Sequence, residues 1–323
     1  RVGSPVPRSS QPLAAAALSQ TKRLLLTADA SQTPAPAARP RKRRMPAFDP
    51  AALYKYDGEP HMLVDIGANL ADDAFEKDIG AVLARAKEAH VDNIVITGSS
   101  IDGSEEAAAL AEAYEGLWCT AGVHPHNAKH CDENTIAQLR ELAKHPKCVA
   151  LGECGLDFNR NFSTPDVQEE WFDKQVALAC ELQMPLFIHC REAADRLRTI
   201  LSRHALTAPA VVHCFTGTDE ELKSFVEMGL YIGITGWVCD DREGKGEALA
   251  KTLPTIPLDR LMIETDAPYL TPRSIKPNRI RPHRNEPALL PHVLAKVAQS
   301  IGQPMGATAE LTTANAKRFF SLP

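Results

Sequence analysis

The sequence predicts a single (β/α)8 barrel, because short β-branched runs alternate with segments of helical periodicity and polar residues gather where several runs end. Residues 61–323 are long enough for such a barrel, which takes about 250 residues. The predicted strands are Met62–Ile66, Asn93–Gly98, Trp118–Val123, Val149–Glu153, Leu186–His189, Ala210–His213, Tyr231–Ile234 and Leu261–Glu264. Eight runs are the number needed to close the barrel.

Candidate helices separate these runs, notably Asp72–His90, Pro165–Gln183 and Asp219–Met228. Trp171 falls on the apolar stripe of the second helix, so we expect it in the core rather than in a base-stacking role. A last helix, Leu289–Ile301, follows the eighth strand and should pack outside the barrel.

The composition fits a globular protein. Hydrophobic residues make up 44% of the chain and charged residues 24%, with a mean hydropathy of -0.22. No apolar stretch approaches the roughly 20 residues that a membrane span requires. The eight cysteines are scattered without a Cys-x-x-Cys pair, which favours reduced thiols in an intracellular protein, cytoplasmic in the simplest case.

Residues 1–60 differ from the rest in composition and are expected to form a disordered, basic, Pro- and Ala-rich extension. They hold ten Lys and Arg against four Asp and Glu, a charge of +6, which leaves -11 for the remainder of a chain whose formal charge is -5. An acidic body argues against broad electrostatic adhesion to nucleic acid. The extension is compatible with an organelle transit peptide, a nuclear signal or nucleic-acid tether at Arg41–Arg44, or no specific address.

Five predicted strands end in acidic, imidazole or guanidinium groups. These ends are Gly122–His126, Gly152–Asp157, His189–Arg191, His213–Phe215 and Glu264–Asp266. Barrel enzymes place their working groups at the carboxyl ends of the strands, so closure of the sheet would bring these side chains to one mouth. The sequence therefore predicts a catalytic site there.

Two imidazoles and two carboxylates at that mouth are predicted to hold one or two divalent cations. The predicted ligands are Glu153, His189, His213 and Asp266. Their donor atoms suit Mg²⁺, and also Mn²⁺ or Zn²⁺. Such a cation polarises a phosphoryl or carbonyl oxygen and lowers the pKa of bound water towards about 7. We expect Asp266 to accept the proton of that water and Glu153 to bridge the ions where two are bound.

Three further groups are candidates for holding anionic substrate oxygens: His124, His126 and Arg191. His124 is a candidate phosphate ligand or leaving-group acid. Substrate contact is favoured over a structural salt bridge for Arg191. For His126 the choice between substrate contact and a loop shaped by Pro125 stays open.

These residues sit in motifs that resemble the TatD family of metal-dependent nucleases, within the amidohydrolase-like barrels. The motifs are Asp65–Leu70, Ala121–His126, Gly152–Phe158, His189–Arg191, His213–Gly217, Tyr231–Trp237 and Glu264–Tyr269, and the match spans about Leu63 to Phe320. The resemblance implies a deoxyribonuclease that uses Mg²⁺ at the four predicted ligands. It further implies 3′-to-5′ exonuclease action on single-stranded DNA or RNA and a role in DNA repair or breakdown. The simplest expectation for its assembly is a monomer.

The first strand departs from the broader family. Many relatives carry His-x-His there, whereas this chain has Gly67, Ala68 and Asn69. A second ion would have to rely on Asp65, the carbonyl oxygen of Asn69 and solvent. A close subgroup of the family shares the change, so we still expect activity.

Two other functions are compatible with the residues alone. The same metal nest would serve an amide or ester hydrolase, such as a deacylase acting on a small molecule or aminoacyl-RNA. A barrel without catalysis would be a binding module that uses the basic extension to contact nucleic acid. Assays on labelled strands and acyl substrates separate these hypotheses.

Overall fold

The computed structural model describes Tyr54, residues 58–242 and residues 244–323, with only the backbone of Arg279. The predicted disordered extension therefore lies almost entirely outside the described residues. The described part forms eight parallel strands that pair in chain order. They are β1 (Leu63–Ala68), β2 (Val91–Ile96), β3 (Leu117–Ala121), β4 (Cys148–Asp157), β5 (Leu186–Arg191), β6 (Ala210–Val212), β7 (Tyr231–Ile234) and β8 (Leu261–Ile263).

The helices cover the outside of this sheet, as the barrel prediction requires. They are α1 (Ile79–Glu88), α2 (Ile101–Ala113), α3 (Thr135–Leu142), α4 (Pro165–Leu182), α5 (Ala194–Leu201), α6 (Asp219–Glu227), α7 (Lys245–Thr252), α8 (Leu290–Ile301) and α9 (Met305–Phe320). The prediction of a helix over Asp72–His90 is wrong at its start, because Asp72 Oδ1 accepts a hydrogen bond from the backbone N of Ala74 and residues 72–78 form turns.

The barrel closes where the ends of β1 and β8 meet. The backbone N of Asp266 donates to the carbonyl oxygen of Gly67 (2.8 Å), and that of Asn69 donates to the carbonyl oxygen of Ala267 (2.7 Å). Asp65 reinforces this seam from within β1, because its carboxylate accepts hydrogen bonds from the backbone N and the hydroxyl of Thr265. The closed sheet confirms the predicted (β/α)8 barrel.

The apolar core has two layers separated by the strands. One lies between the sheet and the helices and includes Phe172 of α4. The other fills the barrel and is closed below by Phe319 of α9, whose ring lies 5.0 Å from that of Tyr231. Trp171 is buried, which confirms its predicted place in the core.

The alternation of side chains along the strands decides which polar groups reach the barrel interior. Phe187 and Val211 point inward as part of the inner layer. His189 and His213 follow two residues later in each case, so they share that inward direction and extend the inner layer upward to the mouth.

Two further findings concern the cysteines and the membrane. All eight cysteines lie in the described part of the chain and none forms a disulfide. Within the same residues, no helix combines the length and the apolar character needed to cross a membrane.

Candidate metal centre

The carboxylate of Glu153 is the centre of a buried cluster at the carboxyl ends of the strands. Its Oε1 lies 2.7 Å from Nε2 of His213 and 3.1 Å from Nδ1 of His189. The same oxygen lies 3.3 Å from Nε2 of His124. Burial opposes ionisation of Glu153, but the imidazoles outweigh burial and hold the pKa of this carboxyl well below its usual range. The cluster thus pairs an ionised carboxylate with three nitrogen donors.

His189 and His213 each lie between Glu153 and a second carboxylate. Nε2 of His189 is 3.3 Å from Oδ2 of Asp157, and Nδ1 of His213 is 3.4 Å from Oε2 of Glu264. Burial lowers the pKa of each imidazole, yet the flanking carboxylates outweigh burial and raise the pKa of both. In a metal-bound centre, an outer carboxylate would hold the proton of the far nitrogen and leave the lone pair of the near nitrogen free to bind the ion. This arrangement is typical of metal-binding histidines.

His124 has a different environment. Its Nδ1 accepts a hydrogen bond from the backbone N of His126 (3.0 Å), so a neutral ring carries its proton on Nε2. Burial lowers the pKa of His124 to about 4, which makes the neutral ring the dominant form at pH 7. Distance alone groups His124 with Glu153 and His189 as a metal triad. Its tautomer instead favours donation to an anionic oxygen, and a neutral ring is poorly suited to act as a leaving-group acid.

Asp266 lies just after the end of β8. Its Oδ1 accepts a hydrogen bond from Nδ2 of Asn69 (3.0 Å). Burial raises the pKa of Asp266 to about 7, with Glu153 adding to the rise and His213 opposing it. Asn69 therefore orients a carboxyl group that is close to its ionisation point in the metal-free protein.

Asp65, expected to help bind a second ion, makes its contacts elsewhere. Its carboxylate accepts from Thr265, and its Oδ1 also accepts from the backbone N of Gly67 (3.3 Å). Both oxygens are thus engaged at the seam between β1 and β8. A Cβ atom at Gly67 would collide with the carboxylate of Glu264, so that carboxylate occupies the space next to the glycine. The geometry supports a structural role for Asp65 at this seam.

Two glutamines of α4 fix the strand ends that carry the cluster. Gln175 accepts from the backbone N of Val123 (2.8 Å) and donates to its carbonyl oxygen (3.1 Å). Gln168, two helical turns earlier, accepts from the backbone N of Asp157 (2.8 Å) and donates to its carbonyl oxygen (3.1 Å). Both glutamines are buried, so these bonds are shielded from water. They hold Asp157 and the residue before His124 in place.

Comparison with known proteins identifies the family of this chain. The family model described as "TatD related DNase" matches residues 64–321. The chain belongs to the TatD-related DNase family. It is 50% identical over 259 residues to the "3'-5' ssDNA/RNA exonuclease TatD" of Cronobacter sakazakii, covering 80% of this chain and 97% of the relative. The protein of the same name from Shigella flexneri is 49% identical over 261 residues, covering 80% and 99%.

Solved structures of TatD proteins share the fold. The TatD homologue YJJV of Escherichia coli K12 superposes with a TM-score of 0.74 at 28% identity, covering 81% of this chain and 98% of that one. The hydrolase TatD family protein of Entamoeba histolytica gives a TM-score of 0.72 at 26% identity, covering 82% and 100%. This TatD-family chain is therefore a hydrolase that acts on nucleic acid.

The candidate substrate residues of this TatD-family chain differ in their contacts. Nε2 of His126 lies 2.9 Å from Oδ2 of Asp157, so His126 is held by the same carboxylate as His189. Arg191 ends β5 beside Asp157, and among the described residues its guanidinium has no ion-pair or hydrogen-bond partner. A partly exposed cation without a partner at the mouth agrees with substrate contact rather than a structural salt bridge.

Asp157 and Glu264 have no predicted role from the sequence, although both lie in the strand-end motifs. Each is almost completely buried and each contacts an imidazole of the cluster. The available signal was an acidic residue embedded in an apolar strand, which is rare without a specific partner.

Proposed function

We propose that this chain is a divalent-metal-dependent 3′-to-5′ exonuclease of single-stranded DNA or RNA. The main support for the proposal is that three imidazoles surround one carboxylate oxygen of Glu153. Two of these imidazoles also contact a second carboxylate through their other nitrogen. This is the donor set of a metal centre in a hydrolase. The names of the relatives at about half identity supply the substrate class and the direction of digestion.

The proposed ligands are those that the sequence predicted. They are Glu153, His189, His213 and Asp266. Two side-chain atoms of the buried cluster, Nδ1 of His213 and Oε2 of Glu264, have no hydrogen-bond partner in the described part of the chain. They lie 3.4 Å apart, and an ion near Nε2 of His213 would favour a proton shared between them. We propose Mg²⁺ as the ion, while the imidazole donors also suit Mn²⁺ and Zn²⁺. When bound, the ion makes water acidic enough to yield hydroxide near neutral pH.

The remaining chemistry falls to groups of the chain itself. Asp266 accepts the proton released from the attacking water, because it provides a carboxylate at the mouth that Asn69 orients. The Nε2–H of His124 donates to a non-bridging oxygen of the scissile phosphate. Arg191 supplies positive charge to the same phosphate as negative charge develops on it.

The test compares labelled strands and metals. We expect release of mononucleotides from the 3′ end of single strands, much slower digestion of duplexes, complete loss with a chelator and recovery with Mg²⁺. Strands labelled at either end identify the direction. Hydrolysis of acyl substrates without hydrolysis of any strand would instead support the amide or ester hydrolase.

Glu264 gives a separate prediction about the centre. In Glu264→Gln the amide keeps an acceptor for the backbone N of Cys214, but its NH2 group faces Nδ1 of His213 and favours the proton on Nε2. We expect metal affinity, measured by calorimetry, to fall by roughly 10- to 100-fold. Glu170→Gln on the exposed face of α4 is the control and should bind metal as the wild type does. Equal affinity in Glu264→Gln and wild type would refute the proposed role.

A further inference from the structure

Phe162 is a large apolar side chain exposed at the mouth of the barrel, in the segment between β4 and α4. It is 52% exposed to solvent. Its ring centre lies 4.7 Å from that of His126, with the planes at 68°. His126 and the proposed ligand His189 both contact Oδ2 of Asp157. Phe162 is therefore linked to the proposed metal centre through His126 and Asp157.

The segment that carries Phe162 is firmly attached. The hydroxyl of Ser163 accepts from the backbone N of Lys129 (3.0 Å) and donates to the carbonyl oxygen of His126 (3.1 Å). The carbonyl oxygen of Ser163 accepts from Nε2 of the buried Gln168 (2.8 Å). Exposure of Phe162 therefore does not reflect a loose loop. These hydrogen bonds hold the backbone next to Phe162, whose ring is exposed beside His126.

Few large hydrophobic residues are exposed in the described part of the chain. They are Met62, Phe162, Leu258, Tyr269 and Ile280. Met62 and Leu258 precede strands and lie at the opposite face of the barrel. Tyr269 lies at the mouth, but its hydroxyl bonds to Asp72, whereas Phe162 has no polar atom that would gain from water. An exposed aromatic ring beside the proposed phosphodiesterase centre is suited to contact a flat apolar group of a ligand.

We propose that Phe162 is the stacking platform for a nucleobase next to the scissile phosphate. This inference rests on the proposed nuclease function. Aromatic side chains bind unpaired bases through their π-faces, and every base offers such a face, so the contact tolerates any sequence. Bases inside a duplex are covered on both faces by their neighbours. Phe162 consequently favours single strands over duplexes.

Kinetics of Phe162 variants test the platform. We expect Phe162→Ala to raise KM for a single-stranded oligonucleotide roughly tenfold, the size of one lost base contact, with a smaller change in kcat. Phe162→Trp keeps a flat ring and should retain the wild-type KM. The control is Leu258→Ala, which removes an exposed hydrophobic side chain at the other face of the barrel and should change neither constant.

Strands with one abasic nucleotide, placed in turn at each of the last three positions, locate the contact. At one of these positions the abasic nucleotide should raise the KM of the wild type by the same factor as the Phe162→Ala substitution does. The same abasic strand should not raise the KM of the variant any further. The platform would be refuted if Phe162→Ala kept the wild-type KM, or if abasic nucleotides raised the KM of both proteins equally at every position. Neither result would contradict the nuclease function.

A binding assay separates this inference from a failure of the nuclease function. If no strand is hydrolysed with any metal, the proposed function fails, and fluorescence of a strand containing 2-aminopurine then decides the stacking. Quenching by wild type but not by Phe162→Ala supports the platform. Equal signals from the two proteins refute it.

Discussion

Asp266→Asn is expected to lower kcat on single-stranded DNA by roughly 10²- to 10⁴-fold, the usual contribution of a proton acceptor. The amide has the same shape and can still accept the hydrogen bond from Asn69, but it cannot take the proton of the attacking water. Without metal, burial raises the pKa of Asp266 to about 7, and a bound cation would lower that pKa and keep the side chain ionised. Single-turnover rates at saturating Mg²⁺ measure the effect.

The control for Asp266→Asn lies at the other end of the same strand. Asp259 precedes β8 and pairs with Arg260 at the opposite face of the barrel, so Asp259→Asn should retain the wild-type rate. Because Asp266 is also a proposed ligand, the rate is followed as a function of metal concentration. Recovery of the wild-type rate at high metal would leave Asp266 as a ligand only, and wild-type activity at all concentrations would exclude both roles.

The barrel could be predicted from sequence, and the four ligands could be proposed from it, because both inferences depend on strict rules. Strand and helix periods repeat eight times, and parallel strands bring their carboxyl ends to one face. His189 and His213 also follow inward-facing positions by two residues, so the alternation of a strand directs them into the mouth. Asp65 lies two residues after Leu63, which packs in the outer layer, and the same rule could have removed Asp65 from the predicted ligands.

The contacts around the proposed ligands could not be predicted, because they depend on distances between secondary-structure elements. Nothing in the local sequence indicates that Gln168 and Gln175 of α4 reach the backbone of β4 and of the loop after β3. The partners of Asp157 and Glu264 are likewise set by the closed barrel. Phe162 lies just before the start of α4. The exposure of its ring becomes evident only when the position of the neighbouring segment around His126 is known. Tertiary geometry, rather than propensity, decides each of these contacts.

Glu153→Gln is expected to have the largest effect on the metal centre itself. One oxygen of Glu153 is shared by His213, His189 and His124, so loss of its charge removes the anion around which the donors gather. We expect metal affinity to fall by more than the roughly 100-fold that loss of an outer partner costs. Thermal unfolding with and without metal measures this directly. Metal at about 100 times its Kd stabilises a protein by about 2.7 kcal/mol, and the variant should lose that shift.

The metal-free baseline is measured for each protein, since the substitution also changes the interactions of the three imidazoles. Glu170→Gln again serves as the control, because Glu170 is exposed on α4 and pairs with Lys174 away from the cluster. Its metal-induced rise in Tm should equal that of the wild type. An equal rise in Glu153→Gln would mean that the ion binds elsewhere, and the cluster at the mouth would then be a network of ion pairs without a metal.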